Sequence, residues 1–133
     1  RDHALVAFRE GAAAVLLPLL SPRTGGEVLQ NALGATSSLL MAGQAAQDAL
    51  GANGAVAALC GLLDSPAAEQ AAAALGNLLS GHAENGRRAE ASRALPRLLQ
   101  LLRLAATEQR SKLAENCCAA LANLVAGTHT AQA

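Results

Sequence analysis

One small-residue segment occurs twice in the chain, and this repetition limits the folds that the chain can adopt. The segment AAALGNLLSG (72–81) is followed 46 residues later by CAALANLVAG (118–127). A more divergent copy, VLQNALGATSSLLMAG (28–43), precedes both. Repeats of about 40–47 residues are typical of helical units that stack on one another. The spacing therefore predicts three units of one supersecondary structure.

A second marker recurs at similar intervals. Gly11, Gly54 and Arg93 each lie eight residues before a Leu-Leu pair, at intervals of 43 and 39 residues. We divide the chain into units at 1–43, 44–81 and 82–127, and we expect residues 128–133 to begin a further unit. The whole chain of 133 residues is predicted to be a single domain.

The composition predicts an all-α fold. Hydrophobic residues make up 52% of the chain and aromatic residues only 1%. Alanine and leucine, both strong helix formers, supply most of that apolar content. Each unit is predicted to contain a short polar first helix, an apolar second helix that ends near Pro22 or Pro66, and a third helix of small residues. Alanine and glycine in the third helix permit close packing of neighbouring helices.

The repeated pattern resembles the armadillo repeat. It reads Gly-Ala-x-x-x-Leu-x-x-Leu-Leu, then a Ser-Pro or polar turn, then Ala-Leu-Gly/Ala-Asn-Leu, and it covers nearly the whole chain. HEAT repeats share the length and stacking, but the glycine before the second helix and the Asn-Leu pair favour armadillo. Ser38 replaces the expected Asn, and Arg93 the expected Gly. The resemblance implies a right-handed α-solenoid of about three three-helix repeats, with further repeats or partners packed on both sides.

The resemblance also implies a binding groove. In armadillo proteins the third helices form a concave surface on which Asn side chains hold an extended peptide. The positions that match, together with those seven residues earlier, are Asn31, Ser38, Gln70, Asn77, Asn116 and Asn123. Amide side chains suit this task because each has donors and an acceptor. The alternative is that these amides bond the neighbouring repeat and hold the stack in register.

One difference from the armadillo proteins that act in nuclear import argues against a basic peptide as the partner. Nuclear-import adaptors of this family carry Trp four residues before the groove Asn, where this chain has Gly34, Ala73 and Ala119, and it has no Trp at all. Without aromatic faces there is no cation–π surface for a basic peptide. These three units are therefore not expected to bind an import signal. A further alternative is that the chain is part of a nuclear-transport-type adaptor whose cargo-binding repeats lie outside this segment.

Charge is segregated although the formal net charge is zero. Residues 24–86 contain no Lys or Arg, whereas residues 87–112 are rich in both. The cluster Arg87, Arg88, Arg93 and Arg97 falls on the first and second helices of the third unit, which form the convex side in armadillo proteins. It suits an acidic protein partner, but solvated helix faces give the same pattern. Neutral charge and the scarcity of aromatic residues argue against nucleic acid as a partner.

No catalytic, metal or cofactor site is predicted. The three histidines, His3, His82 and His129, are expected outside the regular helices and exposed to solvent. The three cysteines lie in apolar helical pattern without a CxxC motif, which favours reduced thiols and a cytoplasmic location. No apolar run is long enough to cross a membrane.

We therefore expect a non-catalytic scaffold that binds other proteins, such as an extended peptide segment, through its concave groove. The alternative is an architectural subunit of a large assembly, cytoskeletal or ciliary, that uses its convex face and loops.

Overall fold

The structure, a computed structural model, describes residues 11–132, with side chains to residue 126. Eight α-helices and one 3-10 turn account for the secondary structure of this range, which contains no strand. The helices are α1 (Ala12–Leu16), α2 (Gly26–Leu40), α3 (Gln44–Ala52), α4 (Ala55–Gly61), α5 (Ala68–Leu79), α6 (Ala83–Ala91), α7 (Ala94–Thr107) and α8 (Ser111–Gln132). The all-α prediction is confirmed for these residues.

Each predicted unit spans several of these helical segments. The second and third units contribute three helices each, α3–α5 and α6–α8, while the first contributes α1, the 3-10 turn Leu17–Leu19 and α2. The first helix predicted for the first unit lies outside the described residues, and so does His3. Helix α8 runs without a break to Gln132, so residues 128–132 are continuous with the third helix of the third unit.

Each second helix begins at a residue in the left-handed conformation. Gly11 has φ 86° before α1, Gly54 has φ 95° before α4, and Arg93 has φ 60° and ψ 40° before α7. Glycine adopts this conformation at little cost because it has no Cβ. Arg93 adopts the same left-handed conformation although it has a Cβ.

The third helices of the three units are neighbours in chain order. α5 packs against α2 on one side and α8 on the other, and α8 also packs on α6 and α7. Leucines fill the core, with Leu33, Leu59, Leu75, Leu98 and Leu113 among the fully buried side chains. The small residues of α5 are buried along the contacts, which is where close approach of helices requires them.

Candidate interaction surfaces

The amide positions of α2 and α5 are open to solvent. Asn31 and Ser38 on α2, and Gln70 and Asn77 on α5, are all exposed. Within residues 11–126 none of these four side chains has a hydrogen bond to another residue. Each pair is seven residues apart, so both members of a pair lie on one helix face. These polar groups are free to bind a partner.

The equivalent amides of α8 donate hydrogen bonds to backbone carbonyls of α5. Asn116 Nδ2 donates to the Glu69 carbonyl oxygen at 3.0 Å, and Asn123 Nδ2 donates to the Gly76 carbonyl oxygen at 2.9 Å. Both side chains are half-buried. The two bonds join residues 47 positions apart and therefore set one register between α5 and α8. At these two positions the structure supports the stacking alternative.

A close approach of backbones accompanies the Asn123 bond. Gly76 is buried, and a Cβ placed on it would lie 3.6 Å from both the N and the Cα of Ala120. That separation is ordinary van der Waals contact. The seam between α5 and α8 therefore has room for alanine at position 76, but not for a longer side chain without movement.

A second polar cluster lies where α3, the end of α5 and α6 meet. Gln47 Nε2 donates to the carbonyl oxygens of Asn77 and Ser80 at 3.0 and 2.6 Å. Asn85 Nδ2 in turn donates to the carbonyls of Gln47 and Leu78 at 3.0 and 2.9 Å. Both side chains are buried. Three of the four acceptors, the carbonyls of Asn77, Leu78 and Ser80, lie at or just after the end of α5, where backbone oxygens have no partner within the helix.

His82 belongs to this cluster, which corrects the expectation that it is exposed. It is only 8% exposed and forms the N-cap of α6, where its Nδ1 accepts from the backbone N–H of Asn85 at 3.0 Å. Because Nδ1 accepts, Nε2 carries the proton of the neutral ring and donates to Asp48 Oδ1 at 2.6 Å. The expectation that His129 lies outside the helices is also wrong, since residue 129 is within α8.

Sequence reasoning missed His82 because histidine is not among the residues that favour an N-cap. The available signal was positional: His82 follows Gly81 and directly precedes the polar helix. Gly51 completes the cluster, since a Cβ there would lie 1.9 Å from Asn85 Oδ1 and 2.8 Å from Arg88 Nη1. The Asn85 amide and the Arg88 guanidinium thus occupy the space that a side chain at position 51 would need.

Three of the four arginines of the predicted basic patch have partners inside the chain. Arg87 pairs with Glu84 one turn earlier, and this hydrogen bond holds the pKa of the Glu84 carboxyl below its usual value. Arg88 Nη1 donates to Asn85 Oδ1 at 2.7 Å. Arg97 Nη1 donates to the Cys60 carbonyl oxygen at 2.8 Å, which joins α7 to the end of α4. Arg93 is exposed.

The three cysteines are free thiols in unlike surroundings. Cys60 and Cys117 are buried, whereas Cys118 is exposed. Burial raises the pKa of the Cys60 thiol to about 11, and the Arg97 guanidinium opposes part of that rise. Burial also raises the pKa of Cys117, with a further contribution from Cys118 beside it. The two buried thiols are therefore poor nucleophiles at neutral pH.

An open cavity of about 460 Å³ lies between the α4–α5 turn and the second half of α7. Its lining includes Asp64, Ser65, Arg103 and Arg110, with no histidine or cysteine. Ser65 is occupied by the turn, since its hydroxyl donates to the Leu62 carbonyl and accepts from the Ala67 N–H. Both hydrogen bonds of the Ser65 hydroxyl thus go to the backbone of its own turn.

In the described part of the chain, no three His, Cys, Asp or Glu side chains are grouped so as to hold a metal ion. Over the same residues, no helix is both long and apolar enough to cross a membrane.

When the chain is compared with known proteins, no family model, no curated protein and no solved structure matches it.

Proposed function

We propose that the chain is a non-catalytic scaffold that binds a protein partner in extended conformation across α2 and α5. In this proposal the stacked units form an armadillo-like, right-handed α-solenoid whose third helices line the groove. The observation that carries it is the contrast between α5 and α8. Gln70 and Asn77 are exposed and unengaged, while the amides at the same positions of α8 bond the neighbouring helix.

The spacing of these groups suits an extended peptide. Packed helices lie about 8–10 Å apart. An extended chain advances about 3.3 Å per residue, so a peptide crossing from α2 to α5 meets a new pair of amides about every three residues. Each amide can donate to a peptide carbonyl and accept from a peptide N–H. Recognition of this kind depends on the backbone, and the small residues between the amides allow the peptide to lie close.

The small residues of α2 and α5 exclude a basic peptide from the proposed partners. Gly34 is exposed and Ala73 half-buried, and both stand where an aromatic side chain would be needed to hold Lys or Arg stems. We therefore propose a partner recognised through backbone amides and small or polar side chains. Three free thiols in one chain, two of them buried, favour a reducing compartment such as the cytoplasm.

The test first identifies a peptide that binds to the protein. A randomised peptide library displayed on phage is selected against the chain, and the best peptide is titrated by isothermal calorimetry. The double variant Gln70→Ala/Asn77→Ala is expected to bind roughly 5- to 100-fold more weakly, because two hydrogen bonds of about 1 kcal/mol each are lost.

Gln44→Ala is the matched control, since it removes an exposed amide at the start of α3. Its affinity for the peptide should equal that of the wild type. Equal affinity of the double variant, or failure to select any peptide, would exclude the groove of α2 and α5 as the binding surface.

A further inference from the structure

The open cavity of about 460 Å³ beside α7 is lined by both apolar and charged side chains. We call it the α7 cavity. Leu63, Ala68 and Leu101 line it and are buried, whereas Leu104 lines it and is 44% exposed. The other lining residues are polar: Asp64, Ser65, Gln100, Arg103, Thr107 and Arg110. A ligand there can contact leucine side chains and charged groups at the same time.

The α7 cavity is formed between two units. Gln100, Arg103, Leu104 and Thr107 follow the spacing of one helix face, and they supply the α7 side of the lining. The turn between α4 and α5 supplies the other side. The cavity is therefore built by the contact of the second unit with the third, within the described part of the chain.

The guanidinium of Arg103 has no partner among the described residues. Its side chain is exposed and forms neither a hydrogen bond nor an ion pair with another residue in the range 11–126. Arg87, Arg88 and Arg97, by contrast, each donate to a group within the chain. Of these four arginines, Arg103 alone lines the α7 cavity, and its charge is available there to a ligand.

A rigid turn brings Arg110 to the same cavity. Gln109 has φ 55°, its N–H donates to the Ala106 carbonyl at 3.3 Å, and the Arg110 N–H donates to the Ala105 carbonyl at 2.8 Å. These two bonds form a Schellman motif, which ends α7 and fixes the direction of the chain. Arg110 lies 3.8 Å from the Glu108 carboxylate, and both side chains are nearly half exposed. A pair of this kind contributes little, so Arg110 can exchange it for a ligand.

The charges of the lining favour a carboxylate over a phosphate. Arg103 and Arg110 contribute two positive charges and Asp64 one negative charge, which leaves a formal charge of +1. A guanidinium forms two parallel hydrogen bonds with a carboxylate. One carboxylate neutralises the lining, whereas a phosphate monoester carries about −1.5 to −2 and would be repelled more strongly by Asp64.

We propose that the α7 cavity is a second interaction site, which binds an acidic segment of a partner protein. The carboxylate of an Asp or Glu side chain pairs with Arg103 and Arg110, and a neighbouring aliphatic side chain packs on Leu104. The lining includes none of the exposed amides of α2 and α5, so this site does not depend on the proposed groove. Because the pairing is between exposed charges, salt weakens it.

The experiment selects a phage-displayed library of randomised peptides against the wild-type chain. The double variant Arg103→Gln/Arg110→Gln is present in excess in solution, where it removes peptides that bind elsewhere, including those that bind the groove. The selected peptides should be enriched in Asp or Glu beside Leu, Ile, Val or Met. A selection without such enrichment overturns the proposal.

The best peptide is then titrated by isothermal calorimetry. Arg103→Gln and Arg110→Gln should each weaken binding roughly 3- to 10-fold, since each removes a charged hydrogen-bond donor. Asp64→Asn should tighten binding about 2- to 3-fold, because it removes a like charge. A merely structural role of Asp64 would not produce a gain. Weaker binding by Asp64→Asn would overturn the assignment of an anionic ligand.

Lys112→Gln is the matched control, since it removes an exposed cation two residues from Arg110 that does not line the α7 cavity. It should bind the peptide as the wild type does. All substituted side chains are exposed, so the fold should be retained, and circular dichroism and thermal unfolding check this.

Two modified peptides test the ligand. Glutamine in place of the acidic residue should weaken binding at least 3-fold, and phosphoserine in its place should not strengthen it. Equal binding of the glutamine peptide, or wild-type affinity in Arg103→Gln, would exclude the pairing with the guanidinium groups. Tighter binding of the phosphoserine peptide would overturn the choice of a carboxylate.

Discussion

Asn123 on α8 donates a 2.9 Å hydrogen bond to the backbone carbonyl of Gly76 on α5, while Asn77, which occupies the same repeat position as Asn123, is exposed. One residue type at one repeat position thus has two roles in the same protein. On α8 the amide fixes the register of two helices, and on α5 it is available to a partner. The difference lies in the neighbour of each helix.

Replacing Asn123 by alanine should therefore lower the free energy of unfolding, while Asn77→Ala should not. Both changes gain the same helix propensity, so their difference isolates the lost hydrogen bond, which is worth about 1 kcal/mol. The difference is measured from urea unfolding of the two variants. Equal midpoints would show that the Asn123 bond adds nothing to stability.

Arg93→Gly should stabilise the protein. Arg93 has φ 60° in the left-handed region, where an L-residue costs about 1–2 kcal/mol and glycine very little. Glycine loses more entropy on folding, so we expect a net gain of roughly 1 kcal/mol in the free energy of unfolding. The matched change Gly54→Ala, at φ 95°, should destabilise. A loss of stability in Arg93→Gly would mean that the Arg93 side chain contributes contacts that outweigh the strain.

Gly51→Ala should disrupt the polar cluster between α3 and α6. The new methyl group would lie 1.9 Å from Asn85 Oδ1, so Asn85 must move away from its bonds to Gln47 and Leu78. Leaving buried polar groups unpaired costs about 1–3 kcal/mol each, which exceeds the gain of about 1 kcal/mol from replacing glycine in a helix.

Gly34→Ala on α2 is the control for this prediction. A Cβ at Gly34 meets nothing within 4 Å, so only the propensity gain applies and the melting temperature should rise. The two variants should thus shift the melting temperature in opposite directions. A rise in both would show that Asn85 relocates without loss.

Thiol labelling should show one fast cysteine and two slow ones in the native protein. Cys118 is exposed, whereas Cys60 and Cys117 are buried and have raised pKa values, so their thiolate fractions at pH 7 are small. With a chromogenic disulfide reagent at micromolar protein, Cys118→Ser should abolish the fast phase. The other two thiols should react only as the protein unfolds, at a rate that increases with urea. A fast phase that survives Cys118→Ser would place a buried thiol at the surface.

Much of the fold could be predicted from the sequence because the signals are local. Alanine and leucine favour helix in any context, and Gly11 and Gly54 mark the sharp turns before two second helices. The intervals between equivalent residues also gave the correct order of helices in the second and third units. Residue 93 is arginine and not glycine, so the residue type does not predict a left-handed turn there. Arg93 nevertheless has the left-handed conformation of Gly11 and Gly54, so the repeat position predicts this turn and the residue type does not.

The site was less predictable because it depends on contacts between distant segments. His82 looked like a surface loop residue, but it caps α6 and bonds Asp48, 34 positions away. Arg97 was placed in an outer basic patch, but its guanidinium bonds the end of α4. Neither partner can be read from nearby sequence, since both are brought close only when the units pack.

By itself the sequence determined the helices, their order within a unit and the repeat positions at which polar side chains occur, because these follow from local propensity and from spacing along one helix. Only the tertiary structure decided which of those polar groups are used inside the protein. Asn116 and Asn123 are bonded and Gln70 and Asn77 are exposed because a hydrogen bond needs a carbonyl within about 3 Å. Whether a neighbouring helix supplies that carbonyl depends on how the two helices pack against each other.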